Sequence, residues 1–201
     1  DSLTGLLNNS TIKQQIGARL QSLKRGQTGY LVVQDVDSFK KINDTNGHLF
    51  GDAVLCSFAD ELSNIFPEAL KGRIGGDEFV FYVEDREQLE EKLKQLNRCM
   101  SDRYDDDKTG LHISCSLGAA VTDGTVTDYN LLFQWADAAL YQVKSKGKGA
   151  YYLLDVKEGV ALPGKSYLDS EENKEDEIAH KEAQFESAED LVLFCMDLLE
   201  N

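Results

Sequence analysis

Apolar side chains at Ile12, Ile16, Leu20 and Leu23 recur at helical spacing behind Ser10, which predicts a helix over residues 10–25 with Ser10 as its N-cap. Tyr30-Leu31-Val32-Val33 is a short continuous apolar run after Gly29, read as a buried strand that leads into Gln34-Asp35-Val36-Asp37. A short helix is expected from Ser38 to about Gly47. Val54, Leu55, Phe58, Leu62 and Phe66 mark the next one, which Pro67 closes. Apolar runs at 72–74 and 79–83 flank Gly75-Gly76-Asp77-Glu78, a hairpin signal because the tight primed turns require positive φ. A charged amphipathic helix follows over 86–104, then a strand over 111–121 with small residues at Ser114, Cys115, Ser116 and Gly118. Leu131, Leu132, Trp135, Ala139, Leu140 and Val143 predict a helix that breaks at Gly147, and Ala150 to Leu154 a last strand.

Helices and strands interleave, so the expected class is α/β (α+β), a central sheet with helices packed against it. The chain has 201 residues, 41% of them hydrophobic, which suffices for one globular domain over residues 1–155. From 156 to 187 the composition turns polar and acidic without periodicity and reads as a linker. Ala188 to Leu199 regains an apolar stripe, so 188–201 reads as the truncated start of a further domain. No internal repeat is visible. The chain opens at Asp1 without Met or a leader pattern and reads as a fragment.

The formal charge is −15, unevenly spread: residues 155–201 hold 14 acids against 4 lysines, the first 154 residues 22 acids against 17 bases. That balance argues against binding to nucleic acid or to an anionic membrane, both of which call for a basic face. No apolar run approaches the ~20 residues of a membrane span. Cys56, Cys99, Cys115 and Cys195 show no CxxC pairing and sit among apolar neighbours. They read as small buried residues in a reducing compartment.

Candidate chemistry begins with two acidic clusters, Asp35 with Asp37 at the end of a strand and Asp77 with Glu78 on a hairpin tip. Hard divalent cations want carboxylate oxygens, and these clusters suit Mg²⁺ if the sheet brings them together. The plainer alternative is that Asp37 caps the following helix and the hairpin acids face water. Lys40, Lys144 and Lys148 are candidates for neutralising phosphate, and the turn at Ser38-Phe39-Lys40 would aim backbone N–H groups at an anion. Against this, surface lysines usually only solvate, and Lys144-Ser145-Lys146-Gly147-Lys148 also suits a basic helix C-terminus. His48 and Asp52 flank the start of a helix, where a carboxylate is stabilising in any case. Asp44-Thr45-Asn46-Gly47 does not make a calcium loop, because Ile42 and Ala53 stand where acids are needed.

Taken in order, these segments resemble the GGDEF family of diguanylate cyclases. The resemblance covers residues 1 to about 154. Its motifs are Asp1-Ser2-Leu3-Thr4-Gly5-Leu6-Leu7-Asn8, Asp35-Val36-Asp37-Ser38-Phe39-Lys40-Lys41-Ile42-Asn43-Asp44, Gly47-His48 with Gly51-Asp52, Arg73-Ile74-Gly75-Gly76-Asp77-Glu78-Phe79, Ser116-Leu117-Gly118 and Ala136-Asp137-Ala138-Ala139-Leu140-Tyr141. Six ordered motifs across one domain are far more specific than the five-letter signature alone.

The resemblance implies a palm-like, ferredoxin-related fold with a central sheet of about five strands, as in nucleotidyl cyclases. It implies condensation of two GTP into cyclic di-GMP and pyrophosphate by a homodimer, with Mg²⁺ as cofactor and Mn²⁺ able to substitute. By it, Asp35, the Val36 carbonyl, Asp77 and Glu78 look like the metal site, and Asp77 like the proton acceptor for the attacking 3′-hydroxyl. Lys40 resembles the transition-state stabiliser. Asn43 and Asp52 resemble the guanine-reading pair, with His48 and Phe39 in the same pocket. Lys144 and Lys148 correspond to the phosphate-binding pair, and Gly75 and Gly76 let the hairpin backbone approach the nucleotide. The domain is expected in the cytoplasm, with regulatory domains outside the fragment and a parent protein that could be membrane-anchored. Three positions depart from the pattern: Lys148 and Asn9 stand where Arg is frequent, and Phe66-Pro67-Glu68-Ala69 stands where product-inhibited members carry Arg-x-x-Asp. The alternative is a catalytically silent GGDEF domain that binds GTP and regulates a neighbour.

Overall fold

A computed structural model describes residues 1–84, 88–104 and 112–159. Of the expected linker over 156–187 only residues 156–159 are described, Val156 ending the last strand; the rest of it and the further domain over 188–201 lie outside the described residues. Its elements are β1 (Leu7–Asn8), α1 (Asn9–Ser22), β2 (Gly29–Val36), α2 (Phe39–Asn46), α3 (His48–Ile65) and β3 (Leu70–Arg73). They continue with β4 (Glu78–Val83), α4 (Leu89–Tyr104), β5 (Cys115–Thr122), α5 (Tyr129–Ser145) and β6 (Tyr151–Val156). Six strands form one mixed sheet in the order β1-β3-β4-β2-β5-β6, one more than expected. The addition is β1, two residues long and parallel to β3, too short to leave a periodic signal.

β2 lies inside the sheet, antiparallel to both β4 and β5, and all eight of its residues are buried. Its alternation assigns the two cores. Tyr30, Val32 and Val36 face the layer of α3 and α4, against Phe58, Leu62, Leu93 and Leu96. Leu31 and Val33 face the layer of α1 and α5, against Ile12, Ile16, Trp135 and Leu140. Asp35 shares the parity of Leu31 and Val33 and so belongs to the α1/α5 side, while Asp37 follows the last residue of the strand. The interleaved β2–α2–α3–β3 and β4–α4–β5 units place the end of β2 beside the β3–β4 hairpin.

Three local expectations change. Asn8, not Ser10, caps α1, its side chain accepting from the Thr11 N–H at 3.0 Å, so the cap lies two residues earlier. The β3–β4 hairpin forms, yet neither Gly75 nor Gly76 has positive φ. The connection is the four residues Ile74–Asp77, closed by Ile74 N–H donating to the Glu78 carbonyl at 2.9 Å, so no two-residue primed turn is needed. Of the cysteines, Cys115 is buried but Cys56 and Cys99 are only half-buried, and Cys195 lies outside the described residues. Among the described residues no helix is long and apolar enough to cross a membrane.

Gly118 lets α5 lie directly on β5: a Cβ there would collide with the Leu140 N and the Ala136 carbonyl oxygen, and stand 2.7 Å from the Leu140 Cα. All of these are backbone atoms that no rotamer change can move. Gly118→Ala is expected to cost about 2–3 kcal/mol of stability, read as a lower urea midpoint at unchanged m. An unchanged midpoint would show that α5 is free to shift.

Candidate active site

The end of β2 concentrates negative charge. In the β2–β4 register Asp35 is directly opposite Glu78, so both side chains leave the same face, an arrangement that is unfavourable for like charges. Asp77 is next door, its carbonyl accepting from the Val36 N–H at 3.3 Å. Asp35 is buried with its side chain 12% exposed, and desolvation, reinforced by Asp77 and Asp37, pushes its carboxyl up to about 6. Desolvation likewise raises Asp77, and raises Glu78 with help from Asp77.

One ammonium answers this charge: Lys144 Nζ from the last turn of α5 sits 2.9 Å from Asp35 Oδ2. Burial works against that ammonium, but Asp35, Asp77 and Glu78 together raise it. Asp35 stays raised in spite of the pair, so a single lysine leaves the cluster short of positive charge. The carboxylates therefore suit a hard cation by chemistry. They are not drawn into one cage, for among the described residues no three His, Cys, Asp or Glu side chains converge on a common point.

Asp37 does not cap α2. Ser38, left-handed at φ 57, takes the N-cap position without a side-chain bond. Asp37 is 5% exposed and accepts three hydrogen bonds, from Ser114 Oγ at 2.6 Å, Ser116 Oγ at 2.7 Å and the Gly149 N–H at 3.0 Å. Arg73 steadies the hairpin from the other side. Its guanidinium donates twice to the Gly76 carbonyl, at 2.9 and 2.6 Å, and pairs with Asp1 at 3.3 Å. Asp1 also accepts from the Thr4 N–H and hydroxyl, which folds the first residues onto the signature loop.

A second pole lies on the α2–α3 pair. Asn43 Oδ1 is buried without a partner, and Gly51 is the reason it fits: a Cβ there would meet that oxygen and the Phe39 ring. His48 and Asp52 are exposed on the first turns of α3, and Lys40 on the first turn of α2. Lys148 reaches the Ser38 hydroxyl at 3.1 Å.

A family profile described as diguanylate cyclase, GGDEF domain, matches residues 1–150. The chain belongs to the GGDEF family. Over 158 residues it is 36% identical to the diguanylate cyclase DgcS of Shewanella oneidensis, covering 76% of this chain and 52% of that protein. It is 32% identical over 155 residues to the bifunctional diguanylate cyclase/cyclic di-GMP phosphodiesterase MucR of Pseudomonas aeruginosa, covering 75% of this chain and 23% of MucR. The chain thus spans about a quarter to a half of these relatives. The coiled coil and GGDEF domain of DgcB from Caulobacter crescentus, solved in complex with c-di-GMP, superposes with a TM-score of 0.68 at 26% identity, covering 77% of this chain and 84% of that one. The fold is the palm-like α/β fold of nucleotidyl cyclases.

Within this GGDEF domain the structure brings together Asp35, Val36, Asp77, Glu78 and Lys144 at the end of β2. It groups Phe39, Asn43 and Gly51 on the helix pair. Residue-by-residue reading missed Asp37 as a hydrogen-bonding hub, with Ser114 and Ser116, and missed Arg73 as the brace of the hairpin. The alternation Ser114-Cys115-Ser116 was a usable signal, since two small hydroxyl residues on one strand face can serve a single acceptor.

Proposed function

We propose that the domain is an active diguanylate cyclase, joining two GTP molecules into cyclic di-GMP as a two-fold homodimer. The observation that carries this reading is the buried, under-neutralised carboxylate of Asp35 facing Glu78 and Asp77 at the tip of the sheet. A nucleoside triphosphate arrives with a divalent cation, whose charge would offset that of the carboxylates and of its own phosphates. Asp35, Asp77, Glu78 and the Val36 carbonyl would hold Mg²⁺ or Mn²⁺. When bound, the cation neutralises phosphate charge.

The 3′-oxygen of one GTP forms a bond to the α-phosphorus of the other, the bond to the pyrophosphate oxygen breaks, and a second such step closes the ring. Asp77, made more basic by desolvation, accepts the 3′-hydroxyl proton. Lys40, Lys144 and Lys148 meet the growing charge on phosphate oxygens. Asn43 and Asp52 read guanine beside Phe39 and His48. The unpaired Asn43 Oδ1 is an acceptor suited to an N–H of the base. Gly75 and Gly76 leave the hairpin backbone open to the nucleotide.

Incubation with GTP and Mg²⁺ followed by nucleotide separation tests the reading. Cyclic di-GMP supports it. GTP that is bound but unchanged identifies a silent regulatory domain, and absence of binding overturns both.

One guanine pocket per domain and a symmetric product require two domains facing each other. The rate is therefore expected to rise about as the square of protein concentration while monomer dominates, and fusion to a dimeric coiled coil to raise it through effective concentration. A rate strictly proportional to concentration in a monomeric sample would remove the dimer from the mechanism.

A further inference from the structure

Asp35 near the end of β2 and Asp37 just past it grip two points of the same segment. Asp35 holds Lys144 at the end of α5, and Asp37 holds the Gly149 N–H just before β6. Between them the chain makes a turn in which Gly147, Lys148 and Gly149 have φ of 118°, 67° and 62°. Glycine adopts such angles freely, whereas an L side chain is disfavoured there. Lys148 is the one member that carries a side chain. It sends Nζ to the hydroxyl of Ser38, itself left-handed. Two of the three non-glycine residues with positive φ among those described thus meet across the mouth of the site. Backbone strain persists only where surrounding contacts over-determine it; here the Lys148 N–H closes the end of α5 on the Val143 carbonyl at 3.1 Å, and Asp37 holds the Gly149 side of the turn. Its two carboxylate oxygens are met by Ser114 Oγ, Ser116 Oγ and the Gly149 N–H, and Ser116 Oγ also accepts from that N–H at 3.2 Å.

We infer that Asp37 is a positioning residue that, through Ser114, Ser116 and the Gly149 amide, locks the α5–β6 turn so that Lys148 is aimed at the phosphates of a bound nucleotide. This rests on the diguanylate cyclase reading for the identity of the ligand but not for the lock itself. The carboxylate acts here through its hydrogen bonds: with its oxygens occupied by three protein donors, Asp37 is not counted among the cation's ligands.

The test uses 3′-deoxy-GTP with Mg²⁺, a nucleotide that can occupy the site but lacks the attacking hydroxyl, in equilibrium binding to the whole chain. Asp37→Ala and the double substitution Ser114→Ala with Ser116→Ala are each expected to weaken binding about tenfold, as is Lys148→Ala. Asp37→Asn keeps an acceptor for Gly149 and can donate to a serine, so it should stay within about threefold of the parent. In a Lys148→Ala background, Asp37→Ala should add less than about twofold, because both act through one side chain.

Hydrogen exchange of the Gly149 amide provides a reading independent of nucleotide. It is expected to accelerate in Asp37→Ala and to remain slow in Lys148→Ala. Unchanged binding by a folded Asp37→Ala protein, an Asp37→Asn as weak as Asp37→Ala, or fully multiplicative losses would each overturn the inference. Should Asp37→Ala fail to fold, the serine double variant and Asp37→Asn decide by the same criteria. Parent protein that binds no 3′-deoxy-GTP would overturn the proposed function. In that protein, protection of Gly149 that depends on Asp37 still supports the lock, and its absence overturns it.

Discussion

Asp77→Ala is expected to lower cyclic di-GMP synthesis by about a thousandfold or more, with the fold intact. The size of the effect follows from two roles on one carboxylate. In the proposed mechanism it would contribute as a proton acceptor what a positioned general base contributes, and as a cation ligand it would hold charge against the phosphates. Stability should not suffer. Asp77 is desolvated and adds to the repulsion on Asp35 and Glu78, so its removal relieves the cluster. The melting temperature is expected to stay level or to rise. Retained synthesis in a folded Asp77→Ala protein would take Asp77 out of the mechanism. A protein that had lost its fold would show that the hairpin tip depends on the side chain as well as on the Arg73–Gly76 brace.

The parts of this site that could be read along the chain are those whose causes are local. The apolar run at 30–33 specifies a buried strand, and the acids that follow must emerge at its end. Ile12, Ile16 and Leu20 define one face of α1 regardless of what covers it, and all three are fully buried. The signature residues were legible because the hairpin carrying them is closed by neighbours. What could not be read are contacts set by tertiary approach. Asp37 looks like a helix cap from its position, and only the meeting of β2 with Ser114, Ser116 and Gly149, between 77 and 112 residues away, gives it other partners. The role of Gly75 and Gly76 was misjudged for a related reason. Two glycines in a hairpin suggest positive φ, but the Arg73 guanidinium fixes the Gly76 carbonyl in a wider loop. Lys144 stood out along the chain only as a basic residue at a helix end, whereas its pairing with Asp35 depends on how α5 lies over Gly118.

Base selectivity is expected to favour GTP over ATP by about 10³- to 10⁴-fold in kcat/KM, and Asp52→Ser to erase most of that preference. Guanine presents N1–H and an exocyclic N2–H side by side, which a carboxylate can accept together. Adenine offers an acceptor at N1, so the carboxylate would face a lone pair and stay unpaired. How much this discriminates depends on water. Asp52 is exposed on α3, and an unpaired carboxylate in water costs little. Asn43 Oδ1 is different: it is already buried and already lacks a donor, so a base that supplies an N–H is rewarded and one that does not leaves the penalty in place. In the proposed pocket the two residues would therefore divide the work, with Asn43 rewarding guanine and Asp52 rejecting adenine once the bound base has displaced water from the carboxylate. Asp52→Ser should mainly raise the efficiency with ATP relative to GTP. Asn43→Ala should weaken GTP, and Gly51→Ala should do the same by forcing Asn43 out of its place. Parallel assays with each nucleotide, for the parent and for Asp52→Ser, measure the preference directly. Equal use of ATP and GTP by the unsubstituted protein would sink the assignment of this pocket to guanine.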